Sequence, residues 1–138
     1  MGLLTKEIED RLERQPLYSQ DGKGRKAKIV CKFYLPGTAW TWYVLEGNRT
    51  EIDEAAANDA KIKAGPTWEL FGITCNEHDP HGEYGYFLLA ELEAIAVKAP
   101  VLDEAGGLLC YIEQRVELDE HFTSKTLGEV DGLRIYEK

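Results

Sequence analysis

Residues 27–35 alternate between two sets of side chains with a period of two, and this alternation constrains the fold more than any other feature of the chain. The apolar set is Ala27, Ile29, Cys31, Phe33 and Leu35. A period of two, rich in β-branched and aromatic residues, is typical of a strand with one buried face. The dipeptide Pro36-Gly37 predicts a turn, and a second alternating run follows at Trp40–Glu46. The two runs predict an antiparallel hairpin.

Three other segments have features typical of helices. Thr5–Gln15 predicts a short amphipathic helix with Thr5 as its N-cap. The alanine-rich run 54–63 predicts a helix inside an insertion at 48–66, for which a disordered polar excursion is the alternative. Apolar residues at helical spacing over Leu88–Val97 predict the helix that covers the apolar side of the sheet.

Further strands are predicted at Thr67–Thr74 and Leu108–Leu118, and the turn formers at 75–85 predict a loop. Thr123–Val130 predicts a short helical turn, and Leu133–Tyr136 predicts a small edge strand. Together these patterns predict one α+β domain over residues 1–138, with a mainly antiparallel sheet of about four to five strands packed against one or two helices.

The net charge of the chain limits the classes of function that it suits. The chain has 138 residues, with 16 Lys and Arg against 25 Asp and Glu, so its formal net charge is −9. Such a charge opposes non-specific nucleic-acid binding, because phosphate neutralisation supplies most of that affinity. No Lys or Arg occurs from Ala64 to Val97. We therefore expect an acidic surface suited to a basic surface on a partner protein.

One segment departs from this acidic character. Its basic residues are Lys23, Arg25, Lys26, Lys28 and Lys32. With Tyr34 and Tyr43, the 23–32 patch supports an alternative function, the weak binding of single-stranded nucleic acid. A solvated loop and strand edge is the structural alternative for the same residues.

The three cysteines, Cys31, Cys75 and Cys110, occur in a sequence that opens without the apolar core of a signal peptide. Their odd number favours reduced thiols over a disulfide framework. No apolar run approaches the roughly 20 residues that a membrane-spanning helix needs. We therefore expect a cytoplasmic protein without a membrane partner.

One compact polar run contains the residue types that bind zinc. Cys75, His78 and His81 are spaced three residues apart, and Cys110 or Glu83 would complete a tetrahedral set. A structural zinc site usually has two separated ligand pairs, whereas this run is a single cluster. Zinc is the cofactor that the sequence suggests, and solvated histidines in a polar turn are the alternative.

Glu117, Asp119 and His121 alternate at the end of the predicted fourth strand, which would place them on one face of the sheet. A carboxylate beside a histidine can act as an acid–base pair, and such a set also suits a hard cation. If the loop with His78 and His81 converged on this face, the site would suit a metal-dependent hydrolase. A solvated polar face is the alternative.

Aromatic residues cluster on the predicted first hairpin. Such residues usually fill a core, because each ring buries roughly 150–250 Å², but they also act as interface anchors. If Trp40 and Trp42 face the core, Tyr43 faces the opposite side of the sheet. The residues that we predict to contribute to a binding surface are Trp42, Tyr43, Glu83, Tyr84, Glu117, Asp119 and His121.

An ordered set of short motifs runs through the chain. The motifs are Leu3-Leu4-Thr5-Lys6-Glu7-Ile8, Val30-Cys31-Lys32-Phe33-Tyr34, Trp40-Thr41-Trp42-Tyr43, Leu70-Phe71-Gly72, Glu83-Tyr84-Gly85-Tyr86-Phe87, Leu89-Ala90-Glu91-Leu92-Glu93-Ala94-Ile95, Val116-Glu117, Asp119, His121-Phe122, Lys125-Thr126-Leu127 and Glu129. In this order the chain resembles the domain-of-unknown-function family 2958, small bacterial proteins common on plasmids, phages and integrated elements. The resemblance implies a fold and a genomic setting but no established reaction. The segments 48–66 and 101–115 look longer than is usual for that family.

The leading interpretation is a non-enzymatic accessory protein that binds another protein through its acidic surface. In the genomic setting that the resemblance implies, one form of this function is an anti-defence factor. Its acidic face would occupy the nucleic-acid channel of a host nuclease. The metal-dependent hydrolase and the single-stranded nucleic-acid binder are the alternatives.

Overall fold

The computed structural model describes residues 3–135, which form three α-helices and nine strands. The helices are α1 Lys6–Glu13, α2 Glu54–Ala60 and α3 Leu89–Ala94. The strands are β1 Lys28–Ile29, β2 Cys31–Tyr34, β3 Thr41–Ile52, β4 Gly65–Cys75, β5 Glu83–Leu88, β6 Ala96–Leu102, β7 Leu108–Arg115, β8 Glu117–Leu118 and β9 Lys125–Thr126. No helix in this range is long and apolar enough to cross a membrane.

A five-stranded antiparallel sheet in the order β5-β4-β3-β2-β8 organises the fold. Its β2–β3 hairpin is the one predicted from the alternating runs, with Phe33 opposite Trp42. The sheet and the helices that pack on it confirm the predicted α+β class. Two smaller antiparallel pairs, β1–β9 and β6–β7, complete the strands of the described residues.

Helices cover one face of the sheet. Phe33 of β2 and Leu70 of β4 are fully buried in a cluster with Leu12 of α1. Helix α3 adds Leu89 and Leu92 to the same cluster. This face therefore holds the larger of the buried apolar clusters.

The opposite face carries a second cluster, which the sequence patterns do not predict. Its buried members are Ala27, Ile29, Leu45, Ile73, Cys75 and Leu127. Ile29 belongs here, whereas Cys31 belongs to the helix-covered cluster, because the chain changes face at Val30 between β1 and β2. The prediction that the apolar residues of 27–35 share one face was therefore wrong.

A β-bulge interrupts the longest strand pair. Val44 of β3 pairs with Gly72 of β4, whereas Glu46 pairs with Phe71, so Leu45 is the extra residue. The β3 backbone comes so close that a Cβ on Gly72 would overlap the carbonyl oxygen of Tyr43. Glycine is required at this position because no side chain fits.

Two buried polar side chains fasten the loop between α1 and β1 to the sheet. The Glu46 carboxylate accepts hydrogen bonds from the N–H groups of Tyr18 and Gln20, at 2.7 and 2.8 Å. The Gln20 amide in turn donates to the carbonyl oxygens of Lys28 and Leu45 and accepts from the Lys28 N–H. These bonds satisfy the polar atoms that burial removes from water.

The insertion at 48–66 extends two strands of the sheet and contains a helix. Strands β3 and β4 continue into it on both sides, and α2 connects them. Asp53 caps α2 by accepting the N–H of Ala56 at 2.7 Å. Ala57 of α2 is buried against Ile52 and Ala90. The helix predicted over 54–63 is therefore present but shorter, since α2 ends at Ala60.

The second half of the chain differs most from prediction. The helix predicted at Leu88–Val97 ends at Ala94, and β6 begins at Ala96. Strand β5 occupies residues 83–88, which were predicted as part loop and part helix. Residues 133–135 form no strand, and Tyr136, the end of the predicted edge strand, lies outside the described residues.

The hairpin of β6 and β7 stands apart from the core. Among the described residues, none of 96–115 belongs to a buried apolar cluster. At its base the Arg115 guanidinium donates to the carbonyl oxygen of Glu93 at 3.3 Å. The predicted strand Leu108–Leu118 is thus divided, since only β8 pairs with the central sheet.

Candidate functional site

An acidic cleft of about 480 Å³ lies beside Tyr34 at the β8 edge of the sheet. Glu117, Asp119, Glu120 and His121 line it. The pKa of the Tyr34 phenol is raised, mainly by the negative charge of Glu117. Partial desolvation and the charge of Asp119 raise it further. The structure therefore brings together the three residues that the sequence predicted to share a face, and it adds Glu120 and Tyr34.

Asp119 shapes this cleft as well as lining it. Its carboxylate lies 3.5 Å from the Lys32 ammonium and accepts the N–H of His121 at 3.0 Å. Its own N–H donates to the Lys32 carbonyl oxygen at 2.9 Å. The regular strand ends at Leu118, so Asp119 and His121 lie in a turn and not on a continuing strand. A carboxylate-rich concave surface of this kind suits a basic group on a partner.

The three residues of the predicted zinc set have different environments. Cys75 is buried in the second apolar cluster, His78 is exposed, and His81 Nδ1 lies 2.7 Å from the carbonyl oxygen of Gly132. Within residues 3–135, no three His, Cys, Asp or Glu side chains form a group that could hold a metal ion. The acidic cleft is not lined by either His78 or His81. The geometry therefore lends no support to a hydrolase site shared by the two regions.

The segment from Ala64 to Val97 contains no Lys or Arg, and most of its carboxylates stabilise turns or helix ends. Glu77 accepts the N–H of Ala39, and this bond lowers the pKa of the Glu77 carboxyl. Glu91 accepts a backbone N–H at the start of α3. Asp79 lies 3.4 Å from the Arg134 guanidinium. These charges therefore have local structural partners and do not act only as an open docking surface.

The aromatic members of the predicted binding surface are largely packed. Trp42 is 5% exposed and stacks on Trp40, with ring centroids 5.6 Å apart. Tyr43 is half-buried on the other face. Tyr84 is also half-buried and stacks on Phe71 at 5.8 Å. The predicted surface is therefore divided, with Glu83 exposed on the edge strand β5 and the other carboxylates in the acidic cleft.

The hairpin of β6 and β7 presents the largest group of exposed apolar side chains in the described chain. Six of the eight large apolar side chains found exposed there lie on it. They are Val97, Leu102, Leu108, Leu109, Tyr111 and Ile112, with exposures from 39% to 65%. This apolar hairpin was not predicted from the sequence. The run of five apolar residues at 108–112 was the available signal. A strand with one solvent-exposed face would instead alternate apolar and polar residues.

The strand register assigns these side chains to faces. One face contains the cross-strand pairs Val97–Gln114, Ala99–Ile112 and Val101–Cys110. None of these residues is charged. On the other face, Lys98 lies opposite Glu113 near the base, and Pro100 lies opposite Tyr111. Within the paired strands both faces are therefore apolar towards the tip and charge is confined to one face near the base, whereas Asp103 and Glu104 lie in the connecting turn.

The two edges of the hairpin differ in their capacity to pair. Pro100 has no N–H and so interrupts the outer edge of β6. Proline is tolerated in a strand where its nitrogen faces away from the paired strand, and in such a pair the N–H and C=O groups of the partner residue, here Tyr111, also face outward. Within the described residues β7 has no second neighbouring strand. Its outer edge is therefore open to another strand.

The reactivity of the three cysteines tests directly which of them are buried. Cys110 is exposed on the hairpin, whereas Cys31 and Cys75 are buried. Burial raises the pKa of Cys31 to about 12, and burial is also the main cause of the raised pKa of Cys75. A thiol reagent at pH 8 should therefore modify one thiol in the folded protein and three in denaturant, since the thiolate is the reactive form.

Reaction of the native protein should disappear in Cys110→Ser. Rapid modification of two or more thiols, or reaction that persists in Cys110→Ser, would contradict the buried placement of the other cysteines. Mass spectrometry of the quenched reaction identifies the modified residue.

Comparison with protein-family models, with curated proteins and with solved structures gave no match. The resemblance to family 2958 therefore stays a prediction.

Proposed function

We propose that the protein is a non-enzymatic binding module and that β7 is the edge on which a partner protein adds a strand. The observation that carries this proposal is the apolar hairpin itself. It projects from the core, contributes nothing to the buried clusters, and keeps one of its edges open. Addition of a strand to such an edge is a common mode of recognition, in which main-chain bonds give affinity and side-chain pockets give specificity.

Energetic considerations support a partner at this position. An isolated two-stranded hairpin is marginal in water, and stability usually requires a third strand or a packed face. The six exposed apolar side chains lie on both faces of the hairpin. Exposed apolar surface that is clustered in this way marks an interaction site.

Charge indicates the chemistry of the partner. The acidic cleft begins at Glu117, two residues after the end of β7. A partner strand that follows β7 towards its end would approach these carboxylates. We therefore propose an apolar partner strand that continues into basic residues. Such a pattern lets apolar contact supply the affinity and charge guide the approach.

The proposal is tested by removing the hairpin. Replacing residues 97–114 with Asn-Gly joins Ala96 to Arg115, which already face each other, through a two-residue turn. We expect this variant to keep its melting temperature within a few degrees, because no core residue is lost. We also expect it to retain no partner in affinity capture from an extract of the encoding organism. The double variant Leu109→Lys/Tyr111→Lys should lose the same partner without any deletion.

A matched control changes the other exposed apolar side chains. Tyr18 and Tyr86 are 63% and 51% exposed, and Tyr18→Lys/Tyr86→Lys adds the same charge away from the hairpin. This control should retain the partner. If the excised chain binds every protein that the intact chain binds, the proposal is wrong. A dimer of this chain that becomes a monomer on excision would assign the edge to a second copy and would also reject a separate partner.

The dependence of partner binding on salt concentration shows whether the hairpin or the acidic cleft makes the main contact. Exposed charge pairs are strongly screened at an ionic strength of about 0.5 M, whereas apolar burial is not. We expect capture to persist at that salt concentration. Capture that is lost in salt and is insensitive to hairpin excision would instead favour binding through the acidic cleft.

A further inference from the structure

A second cleft is basic, although the chain carries a net charge of −9. It has a volume of about 460 Å³ and lies between the end of α1, strand β1 and strand β9. Its cationic lining residues are Arg11, Arg14, Lys28 and Lys125. Glu129 is the one carboxylate in the lining, and Thr126 donates to it from both its N–H and its hydroxyl, at 3.0 and 3.1 Å. The lining therefore concentrates positive charge.

Most of this charge forms no ion pair with the described residues, although Lys125 Nζ lies 6.0 Å from the centroid of the Phe122 ring. Arg11 pairs with Glu7 one turn earlier in α1, but in the described part of the chain Arg14, Lys28 and Lys125 form no ion pair. Cations at the end of a helix offset its dipole, which accounts for the two arginines. The two lysines have no such role. Both line the cleft, Lys28 from β1 and Lys125 from β9. Four cations in the lining of one cleft favour an anionic ligand.

We propose that this basic cleft binds a phosphate-bearing ligand of nucleotide size. Guanidinium groups bind phosphate oxygens in pairs, and an ammonium group binds them as a point charge. The cleft volume lies in the range of roughly 300–1,000 Å³ that small-molecule sites occupy. No hairpin residue lines the cleft, so this proposal does not depend on the proposed function.

Lys28 belongs to the linear basic patch predicted at 23–32. The structure divides that patch, because Lys28 lines the cleft whereas Lys23 and Lys26 are exposed on a short 3₁₀ turn and its start. The remaining cations of the cleft come from α1 and from a segment about a hundred residues later in the chain. No local motif therefore marks this site.

The test uses the full chain and isothermal titration calorimetry with metal-free ATP as the probe, at an ionic strength of about 50 mM. We expect saturable binding by the wild-type chain. The double variant Lys28→Gln/Lys125→Gln should weaken it at least about tenfold, because two charge-assisted contacts are lost. The matched control Lys23→Gln/Lys26→Gln removes the same charge outside the cleft and should change the affinity less than about twofold.

A second probe, a 5′-phosphorylated oligothymidylate, identifies the source of the phosphate. Binding of either probe with the expected difference between the two double variants supports the cleft, and the tighter probe identifies the ligand as a free nucleotide or a nucleic-acid end. No binding of either probe, or equal losses in both double variants, would overturn the proposal. The hairpin-excised chain should bind as the wild type does, which keeps this result separate from the test of protein binding.

Discussion

Gly72→Ala is expected to destabilise the protein by more than about 4 kcal/mol, a cost that only severe steric or core defects produce. An added Cβ would overlap the Tyr43 carbonyl oxygen and lie 2.9 Å from the Tyr43 carbonyl carbon and 3.1 Å from Val44 Cα. All three atoms belong to the backbone of β3, so no side chain can rotate to make room. Relief would require loss of the bulge at Leu45 or of the β3–β4 register.

The matched control is a glycine on the neighbouring strand β5. Gly85 of β5 is the register partner of Gly72, yet a Cβ on Gly85 would meet nothing within 4 Å. Gly85→Ala should therefore be neutral or stabilising by up to about 1 kcal/mol, because alanine restricts the unfolded chain. Urea unfolding followed by tryptophan fluorescence measures both variants. Equal stability of the two would contradict the close approach of β3 to Gly72.

Glu46→Ala should cost about 2–4 kcal/mol, because it leaves two donors without an acceptor in a buried position. Glu46 is 2% exposed, and its two carboxylate oxygens accept the N–H groups of Tyr18 and Gln20. Glu46→Gln should cost less, since the amide oxygen can still accept one of these bonds. The expected order of stability is therefore wild type, Glu46→Gln, Glu46→Ala.

Glu83→Ala is the control for loss of a glutamate from the same sheet, since Glu83 is exposed on β5. Its effect should stay within about 0.5 kcal/mol. The midpoint of urea unfolding reports each change provided that its slope stays constant. A Glu46→Ala variant as stable as Glu83→Ala would show that the loop between α1 and β1 does not depend on this carboxylate.

Local patterns predicted the parts of the fold that local physics controls. The alternation before Pro36 and after Trp40 predicted the β2–β3 hairpin because both strands and their turn lie within about twenty residues. The change of face at Val30 and the bulge at Leu45 were not predictable in this way. Each depends on a second apolar layer formed by residues far away in the sequence, such as Leu127.

Secondary structure was hardest to predict where one segment suits both a helix and a strand. Leu89 and Leu92 have helical spacing and do form α3, but Val97, three residues beyond the end of the helix, is β-branched and belongs to β6. Spacing alone could not locate the boundary. The acidic cleft was predictable in part, because Glu117, Asp119 and His121 are close in sequence. The basic cleft was not, because its cations meet only after folding.

The separation of the β6–β7 hairpin from the buried clusters has a consequence for how this protein can change over time. Substitutions between residues 97 and 114 escape the packing demands that restrict Phe33 or Leu70. Recognition can therefore diversify there while the scaffold keeps its stability. The same property makes the hairpin a suitable position for grafting a new binding sequence onto an unchanged domain.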